Sequence, residues 1–132
     1  MLGNNSILSV ADNSGVKKIM IIRCLGGSRR RFSFIGDLVV ASVKKINKRR
    51  NNIGPHFDIK KGDIVISLIV SSRKNFFREK NNTWIKSSKN FALIIKEKAG
   101  KEFLAKKISI PLIRELEEKG YKKMLSLSSE IL

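Results

Sequence analysis

Five short apolar segments, separated by turn-forming or basic residues, constrain the fold of this chain more than any other feature. They occupy residues 7–10, 19–25, 38–46, 64–70 and 91–95, and the fourth has a polar extension through Lys74. Their length and their content of Val, Ile and Phe are typical of β-strands. Five short strands joined by basic turns predict a mainly β fold, a small closed barrel without exposed strand edges.

The turns between these segments have their own sequence signals. Residues 36–40 (Gly-Asp-Leu-Val-Val) and 62–66 (Gly-Asp-Ile-Val-Ile) repeat one phrase, in which a turn glycine and an aspartate precede a buried strand. Residues 12–15 (Asp-Asn-Ser-Gly) end the first segment, and Gly15 can adopt a positive φ without steric cost. Asp12, Asp37 and Asp63 are therefore explained as turn residues.

The connections require separate predictions. Residues 47–61 are long, basic and polar, with Gly-Pro in the middle, and predict a loop. Residues 74–89 carry Phe76, Phe77 and Trp84 among charges and asparagines, which predicts an extended hairpin that reaches away from the barrel.

Beyond residue 100 the apolar pattern becomes helical. Pro111 suits the first turn of a helix, and Gly120 suits its end. Glu115 and Lys119 are spaced as a favourable i,i+4 pair within it. The tail, residues 121–132, is expected to pack back on the barrel. The chain thus predicts one domain, with a barrel over about residues 1–100 and a small C-terminal helical part over about 105–132.

Positive charge is the strongest functional signal. The chain has 28 lysines and arginines against 11 aspartates and glutamates, a formal net charge of +17 on 132 residues. Blocks of cations lie between the apolar segments: Arg29-Arg30-Arg31, Lys44-Lys45, Lys48-Arg49-Arg50, Arg73-Lys74 and Lys106-Lys107. A compact domain with this charge repels itself unless a dense polyanion lies beside it, and nucleic acid is the commonest one. Lysines that only maintain solubility would account for a smaller surplus.

Other functional classes find little support. The single cysteine, Cys24, excludes an internal disulfide and a cysteine-built zinc site. No apolar run approaches the roughly 18 residues of a membrane span, and the N-terminus lacks the pattern of a secretory signal. His56, the only histidine, lies beside Pro55 in the predicted loop. Metal-dependent nucleases need converging carboxylates, and the aspartates of this chain are explained as turn residues. We therefore expect no enzymatic activity and no bound metal. We also expect no cofactor, no small-molecule substrate and no membrane partner.

The aromatic residues bear on the mode of RNA binding. Phe32 and Phe34 alternate near the first basic turn, and Phe76, Phe77 and Trp84 cluster in the predicted hairpin. Single-strand readers need such rings as a stacking platform. Packing in a minor core or against a protein partner is the favoured interpretation here, so recognition of folded RNA by shape and backbone is expected over readout of single strands.

Short motifs, in order along nearly the whole chain, match a known family. They are residues 10–16 (Val-Ala-Asp-Asn-Ser-Gly-Val), 25–31 (Leu-Gly-Gly-Ser-Arg-Arg-Arg), 35–37 (Ile-Gly-Asp), 60–63 (Lys-Lys-Gly-Asp), 114–116 (Arg-Glu-Leu), 123–127 (Lys-Met-Leu-Ser-Leu) and 130–132 (Glu-Ile-Leu). The chain resembles the large ribosomal subunit protein 14 family. The resemblance implies a five-stranded barrel that binds large-subunit rRNA on the face toward the small subunit. It also implies contacts with the third and nineteenth large-subunit proteins, bridges to small-subunit rRNA and, in many members, a surface for a ribosome-silencing factor.

The resemblance also implies site residues. The RNA-contacting motifs carry over to Asn13, Ser14, Ser28, Arg29, Arg30, Arg31, Lys44, Lys45, Arg73, Lys74 and Arg78, to which the charge blocks add Lys48, Arg49 and Arg50. Lys107 and Lys123 fall on the silencing-factor surface. The chain departs from the family pattern in three places: a longer link at 47–58, a degraded basic stretch at 76–82, and the loss of two glycines in 105–111.

These observations predict a non-enzymatic, structural RNA-binding component of the large ribosomal subunit. The abundance of Lys, Asn, Ile and Phe indicates an AT-rich genome, so we expect an organellar ribosome, in the mitochondrial matrix, with a bacterial cytoplasmic ribosome as the alternative. A free-standing single-strand binder of the OB or cold-shock type is the alternative function. An RNA-modifying or cleaving enzyme is a third hypothesis.

Overall fold

Ten strands, a 3-10 turn and one short α-helix make up the secondary structure of the residues that the structure describes. The structure, a computed structural model, describes residues 2–27, 29, 31–46, 59–97, 102–103 and 107–132. The strands are β1 (Leu2–Gly3), β2 (Ile7–Val10), β3 (Val16–Cys24), β4 (Phe32–Ser33), β5 (Leu38–Ile46), β6 (Ile64–Ser71), β7 (Phe76–Arg78), β8 (Thr83–Ile85), β9 (Phe91–Glu97) and β10 (Glu102–Phe103). A 3-10 turn, Arg114–Leu116, precedes the helix α1 (Lys122–Leu127).

Five of these strands close into the predicted barrel. Their order is β9, β2, β3, β5, β6, and pairing of β6 with β9 completes the circle. β2 runs parallel to β9, and the other neighbours are antiparallel. The mainly β fold with a small C-terminal helical part is therefore confirmed. The predicted bounds of β2 and β5 agree with the structure, whereas β3 begins at Val16, three residues before the predicted start.

The barrel encloses the first of two apolar clusters. Its members alternate along the strands and point inward, and they include Leu8, Ile19, Ile21, Val39 and Ile69, each fully buried. Cys24 belongs to this cluster, as expected for a residue that fills the interior of a strand barrel.

The second cluster lies outside the barrel, under the C-terminal residues. Leu68 and Leu93 point outward from β6 and β9, where Leu116 and Met124 cover them. This cluster explains why β6 and β9 are nearly continuous apolar segments, since both of their faces are buried. The prediction that the tail packs back on the barrel is correct.

The predicted helix over residues 111–119 is wrong. Ile113 is extended, with φ −85° and ψ 146°, and only Arg114–Leu116 makes a 3-10 turn. The reason is a long-range pairing, because Leu112 donates its N–H to the Glu130 carbonyl at 3.1 Å and accepts from Leu132 N–H at 2.8 Å. These bonds hold the residues after Pro111 in an extended strand-like segment.

The predicted pair between Glu115 and Lys119 does not form either. Glu115 binds Arg78 instead, and Lys119 Nζ lies 3.8 Å from Asp37 Oδ1. Gly120, with φ 91°, ends the turn that follows the 3-10 segment, as its position in the sequence suggests. The helix α1 that comes next lies within the predicted C-terminal helical part over about 105–132, but the sequence pattern did not single it out, since the charged residues around Met124 obscure its apolar face.

The predicted hairpin exists as a separate two-stranded sheet of β7 and β8 outside the barrel. Phe76 and Ile85, which pair across it, pack against the second apolar cluster. The hairpin is therefore fixed to the C-terminal residues by one of its faces. The predicted loop at 47–61 falls largely on residues 47–58, which lie outside the described residues.

Candidate RNA-binding surface

The strand directions place the predicted RNA-binding residues at two opposite ends of the barrel. One, the Asp12 end, consists of the turn 12–15, the last residues of β5 and the turn 60–63 before β6. The other, the Arg29 end, consists of the described residues of 25–37, with 72–75 and 86–90. β3 crosses from one to the other in nine residues, a length of about 26 Å at about 3.3 Å per step.

The turn at the Asp12 end is built around a partly buried carboxylate. Asp12 Oδ1 accepts hydrogen bonds from the backbone N–H of Ser14 at 3.0 Å and from its hydroxyl, and Oδ2 accepts from Ile94 N–H at 3.2 Å. Burial raises the pKa of Asp12, and the bonds from Ser14 and Ile94 oppose that rise. Ser14 is itself buried, whereas Asn13 is half-buried at the surface. Ser14 thus shapes the turn that carries Asn13.

Lysines converge beside this turn. Lys18 of β3 lies directly opposite Lys45 of β5 in the register, and Lys17 and Lys44 adjoin them. All four side chains are exposed, and none of them forms a salt bridge within the described ranges. Like charges directly opposite each other on a sheet repel, so this arrangement costs stability in the free protein.

The turn before β6 adds two more cations to the same end. Gly62 donates its N–H to the Val43 carbonyl at 2.8 Å, and Val43 N–H bonds to the Asp63 carbonyl at 2.9 Å. These bonds hold the exposed Lys60 and Lys61 beside the end of β5. Asp63 closes the turn, because its Oδ2 accepts from Lys60 N–H at 2.8 Å. The Asp12 end therefore carries six neighbouring lysines.

At the Arg29 end the predicted side chains are also exposed. Arg29, Arg31, Arg73 and Lys74 all face solvent. The backbone beneath two of them is fixed, since Arg73 N–H bonds to Asn90 Oδ1 at 2.9 Å and Lys74 N–H bonds to the Ser72 hydroxyl at 3.1 Å. Ordered backbone with exposed cations suits contact with phosphate.

Arg78 differs from the other predicted RNA-binding residues. Its Nε donates to Glu115 Oε1, one terminal nitrogen donates to Glu115 Oε2 at 2.9 Å, and the same nitrogen bonds to the Leu132 carbonyl at 3.0 Å. Its side chain is only 15% exposed. The carboxylate raises the pKa of Arg78, and the guanidinium lowers the pKa of Glu115. Arg78 thus connects the hairpin to the C-terminal residues through hydrogen bonds, and unlike the exposed cations it is not directed toward solvent.

The two residues predicted for a protein partner lie on the C-terminal part. Lys107 is exposed and precedes Ile108, which forms bridges with both Asp12 and Ser128. Lys123 is exposed on α1. Ile108 N–H also bonds to the Leu127 carbonyl at 3.4 Å, so the segment that carries Lys107 is joined to the last residue of the helix.

Apart from Arg78, the predicted RNA-binding residues that the structure describes fall into two groups, one at each end of the barrel. Asn13, Ser14, Lys44 and Lys45 meet at the Asp12 end, and Arg29, Arg31, Arg73 and Lys74 share the Arg29 end. Five predicted RNA-binding residues lie outside the described residues: Ser28, Arg30, Lys48, Arg49 and Arg50. Sequence reasoning missed Lys17, Lys18, Lys60 and Lys61 as site residues. Their signal was present in the two Lys-Lys pairs at the strand starts.

Features of other functional classes are scarce. Asp37, like Asp12 and Asp63, serves a turn, because its Oδ2 accepts from Phe34 N–H at 2.7 Å. In the part of the chain that the structure describes, no three His, Cys, Asp or Glu side chains gather as metal ligands would. Across the same residues, no helix has the length and apolar character required to cross a membrane.

A ribosomal protein family matches the chain from end to end. The family model described as Ribosomal protein L14p/L23e covers residues 1–132, the whole of the sequence. The motifs at 10–16 and 60–63 lie within this one continuous match. The chain therefore belongs to the Ribosomal protein L14p/L23e family and is a structural protein of the large ribosomal subunit.

Proposed function

We propose that this protein binds large-subunit rRNA by neutralising phosphates at both ends of the barrel and along the face of β3 and β5 between them. The observation that carries the proposal is that Lys18 lies directly opposite Lys45 among six exposed lysines, with no salt bridge to either of them among the described residues. Such an arrangement is unfavourable in the free protein and becomes favourable beside a polyanion.

The spacing of the two ends supports contact with more than one RNA segment. They lie about 26 Å apart along β3, while adjacent phosphates of a duplex strand are several ångströms apart. The barrel and its turns fix the backbone that carries both sets of cations, so binding requires ordering of side chains but little rearrangement of the backbone. Phosphate contacts of this kind fix position and orientation without reading sequence.

Family membership supports finer assignments within the same proposal. The exposed surface contacts small-subunit rRNA across an intersubunit bridge, and the protein neighbours are the third and nineteenth large-subunit proteins. Lys107 and Lys123 form a surface for a ribosome-silencing factor. The abundance of Lys, Asn and Ile favours a mitochondrial over a bacterial ribosome.

The central test removes the opposed lysines. We expect Lys18→Gln with Lys45→Gln to reduce the slope of log affinity against log salt by about 2 on a folded fragment of large-subunit rRNA, because two phosphate contacts are lost. Affinity at about 0.15 M salt should fall by roughly tenfold or more for the same reason. Filter binding or anisotropy over a salt series measures both quantities.

A charge-matched control separates this site from net charge. Lys122→Gln with Lys123→Gln removes two exposed lysines of α1, on the C-terminal part, and should leave the slope close to that of the wild type. Equal losses in both double variants would show that charge alone, without the β3–β5 site, drives binding. Equal wild-type affinity for an unstructured oligonucleotide and for the folded fragment would favour a single-strand binder of the OB type instead.

A further inference from the structure

The β7–β8 hairpin carries an aromatic pair on the face that the protein does not cover. Phe77 lies opposite Trp84 in the register, with ring centroids 4.8 Å apart and ring planes at 46°. Phe76 and Ile85, one step along each strand, point the other way into the second apolar cluster. Trp84 is 66% exposed and Phe77 is 41% exposed. The outer face of the hairpin is thus an open aromatic surface.

The hairpin holds this surface in a fixed position. Arg78 ties β7 to Glu115 and to the Leu132 carbonyl, and Lys80 lies 3.4 Å from Glu118. Phe76 anchors the opposite face in the apolar cluster. The contacts of Phe76 and Arg78 lie on the inner face, so they order the hairpin and leave both outer rings exposed. A ligand would therefore meet a prearranged site at little entropic cost.

The charges around the two rings indicate which ligand fits. Residues 73–89 contain six cations and one acid, Glu79. Carboxylates of the C-terminal part engage Arg78 and Lys80, whereas four exposed cations form no salt bridge among the described residues: Arg73, Lys74, Lys86 and Lys89. Protein interfaces are enriched in aromatic rings but depleted of lysine, so it is the surrounding lysines that favour an anionic ligand over a protein here. Exposed rings among cations are the arrangement that binds unpaired nucleotides.

We propose that Phe77 and Trp84 form a stacking site for an unpaired nucleotide of RNA. The base stacks on the open face of Trp84, Phe77 braces the indole, and the exposed Lys86, directly after the end of β8, neutralises the adjoining phosphate. The inference rests on the proposed rRNA binding and adds a contact with a base to contacts with phosphate.

Trp84 is the only tryptophan of the chain, so its fluorescence reports on this site alone. We expect octauridylate at low salt to quench the emission of the full-length protein. A blunt RNA duplex of the same length should quench it far less, because its bases are already stacked on one another. Phe77→Leu, which keeps the fluorophore and removes the brace, should weaken the quenching by octauridylate.

Affinity gives an independent measurement with labelled octauridylate. Stacking of one base contributes enough that Trp84→Leu should weaken binding about 5- to 150-fold, and Trp84→Phe less. The salt slope should stay unchanged, since no phosphate contact is removed. Ile7→Ala is the matched control, because it removes an exposed apolar side chain (59% exposed) away from the hairpin, and it should bind as the wild type does.

Two results would overturn the inference and leave the proposed function intact. One is unaltered Trp84 emission at saturating octauridylate, and the other is wild-type affinity in Trp84→Leu; a protein neighbour would then be the better candidate for the exposed rings. Failure of the proposed function has a different signature, namely binding of RNA that does not depend on salt in any variant.

Discussion

The two sides of the barrel differ in what lies over them. The outer face of β3 and β5 is open to solvent and carries Lys18 and Lys45, whereas the outer face of β6 and β9 is buried under the C-terminal residues. The sequences of the strands reflect this difference. β3 mixes buried residues with exposed ones, three of which are cations, while Leu68, Ile69 and Val70 of β6 are consecutive and all buried.

This difference shows how one small barrel can meet two opposite requirements. A surface for RNA needs exposed cations that repel one another, and that repulsion must be offset by apolar burial elsewhere. The inner cluster supplies part of this burial. The C-terminal cover, that is, residues 107–132 packed over β6 and β9, supplies the rest. The C-terminal residues thus stabilise the barrel on the side away from the lysines of β3 and β5.

The largest expected effect tests this division directly. We expect Leu68→Ala on the covered face to lower the free energy of unfolding by about 2–5 kcal/mol, because it removes a fully buried side chain between two packed layers. Ile22→Ala removes the same number of carbons from the open face, where Ile22 is 42% exposed, and should cost less than about 1 kcal/mol. Urea unfolding followed by circular dichroism measures both. Equal losses would show that the cover contributes no more than an exposed face.

Much of the barrel could be predicted from the sequence because its signals are local. The apolar segments locate all five barrel strands, and the Gly-Asp pairs at 36–37 and 62–63 mark turns that the structure confirms. β3 begins early because Lys17 and Lys18 face solvent in a strand, so that their charge does not interrupt it. Local patterns suffice where each residue needs only its own strand and turn.

The errors arise where partners are distant in the sequence. The helix predicted after Pro111 is replaced by pairing of Leu112 with residues 130–132, and Glu115 binds Arg78, 37 positions away. The facing of Lys18 and Lys45 depends on register shifts on both sides of Lys18, which no spacing rule reveals. Phe76 and Phe77 are adjacent and aromatic, yet only the hairpin geometry shows that Phe76 packs against the second apolar cluster and that Phe77 faces solvent.

The next prediction uses the repeated Gly-Asp turns, one under the C-terminal cover and one away from it. Gly36 and Gly62 have φ of +89° and +94°, so alanine is strained at both, by about 1–2 kcal/mol. A Cβ at Gly36 would also meet Lys119 Cδ at 2.5 Å, whereas one at Gly62 meets nothing within 4 Å. Gly36→Ala should therefore be the more destabilising change, because it displaces Lys119 from Asp37 and from the Ile35 carbonyl.

The difference in the free energy of unfolding between Gly36→Ala and Gly62→Ala measures the contact of Lys119 with the barrel. It should shrink when each glycine is replaced in a Lys119→Ala background, since the flexible side chain that clashes at Gly36 is gone. Urea midpoints of the four proteins provide the measurement. If Gly36→Ala and Gly62→Ala are equally destabilising in the presence of Lys119, the contacts of Lys119 do not stabilise the turn at residues 35–37.

The smallest expected effect concerns the tie between the hairpin and the cover. Arg78 lowers the pKa of Glu115 in the folded protein, so the pair stabilises the fold where Glu115 is ionised in the unfolded state as well, above about pH 4.5. As the pH falls through the lowered pKa, the carboxylate takes up a proton and this contribution is lost. The urea midpoint of Glu115→Gln should thus lie below that of the wild type at about pH 7, and the two should converge as the pH falls through the lowered pKa of Glu115. Glu117→Gln, at an exposed neighbouring glutamate, should match the wild type throughout. A gap between Glu115→Gln and the wild type that stays constant with pH would mean that the side chain of Glu115 contributes by packing, and that its charge does not hold the cover to the hairpin.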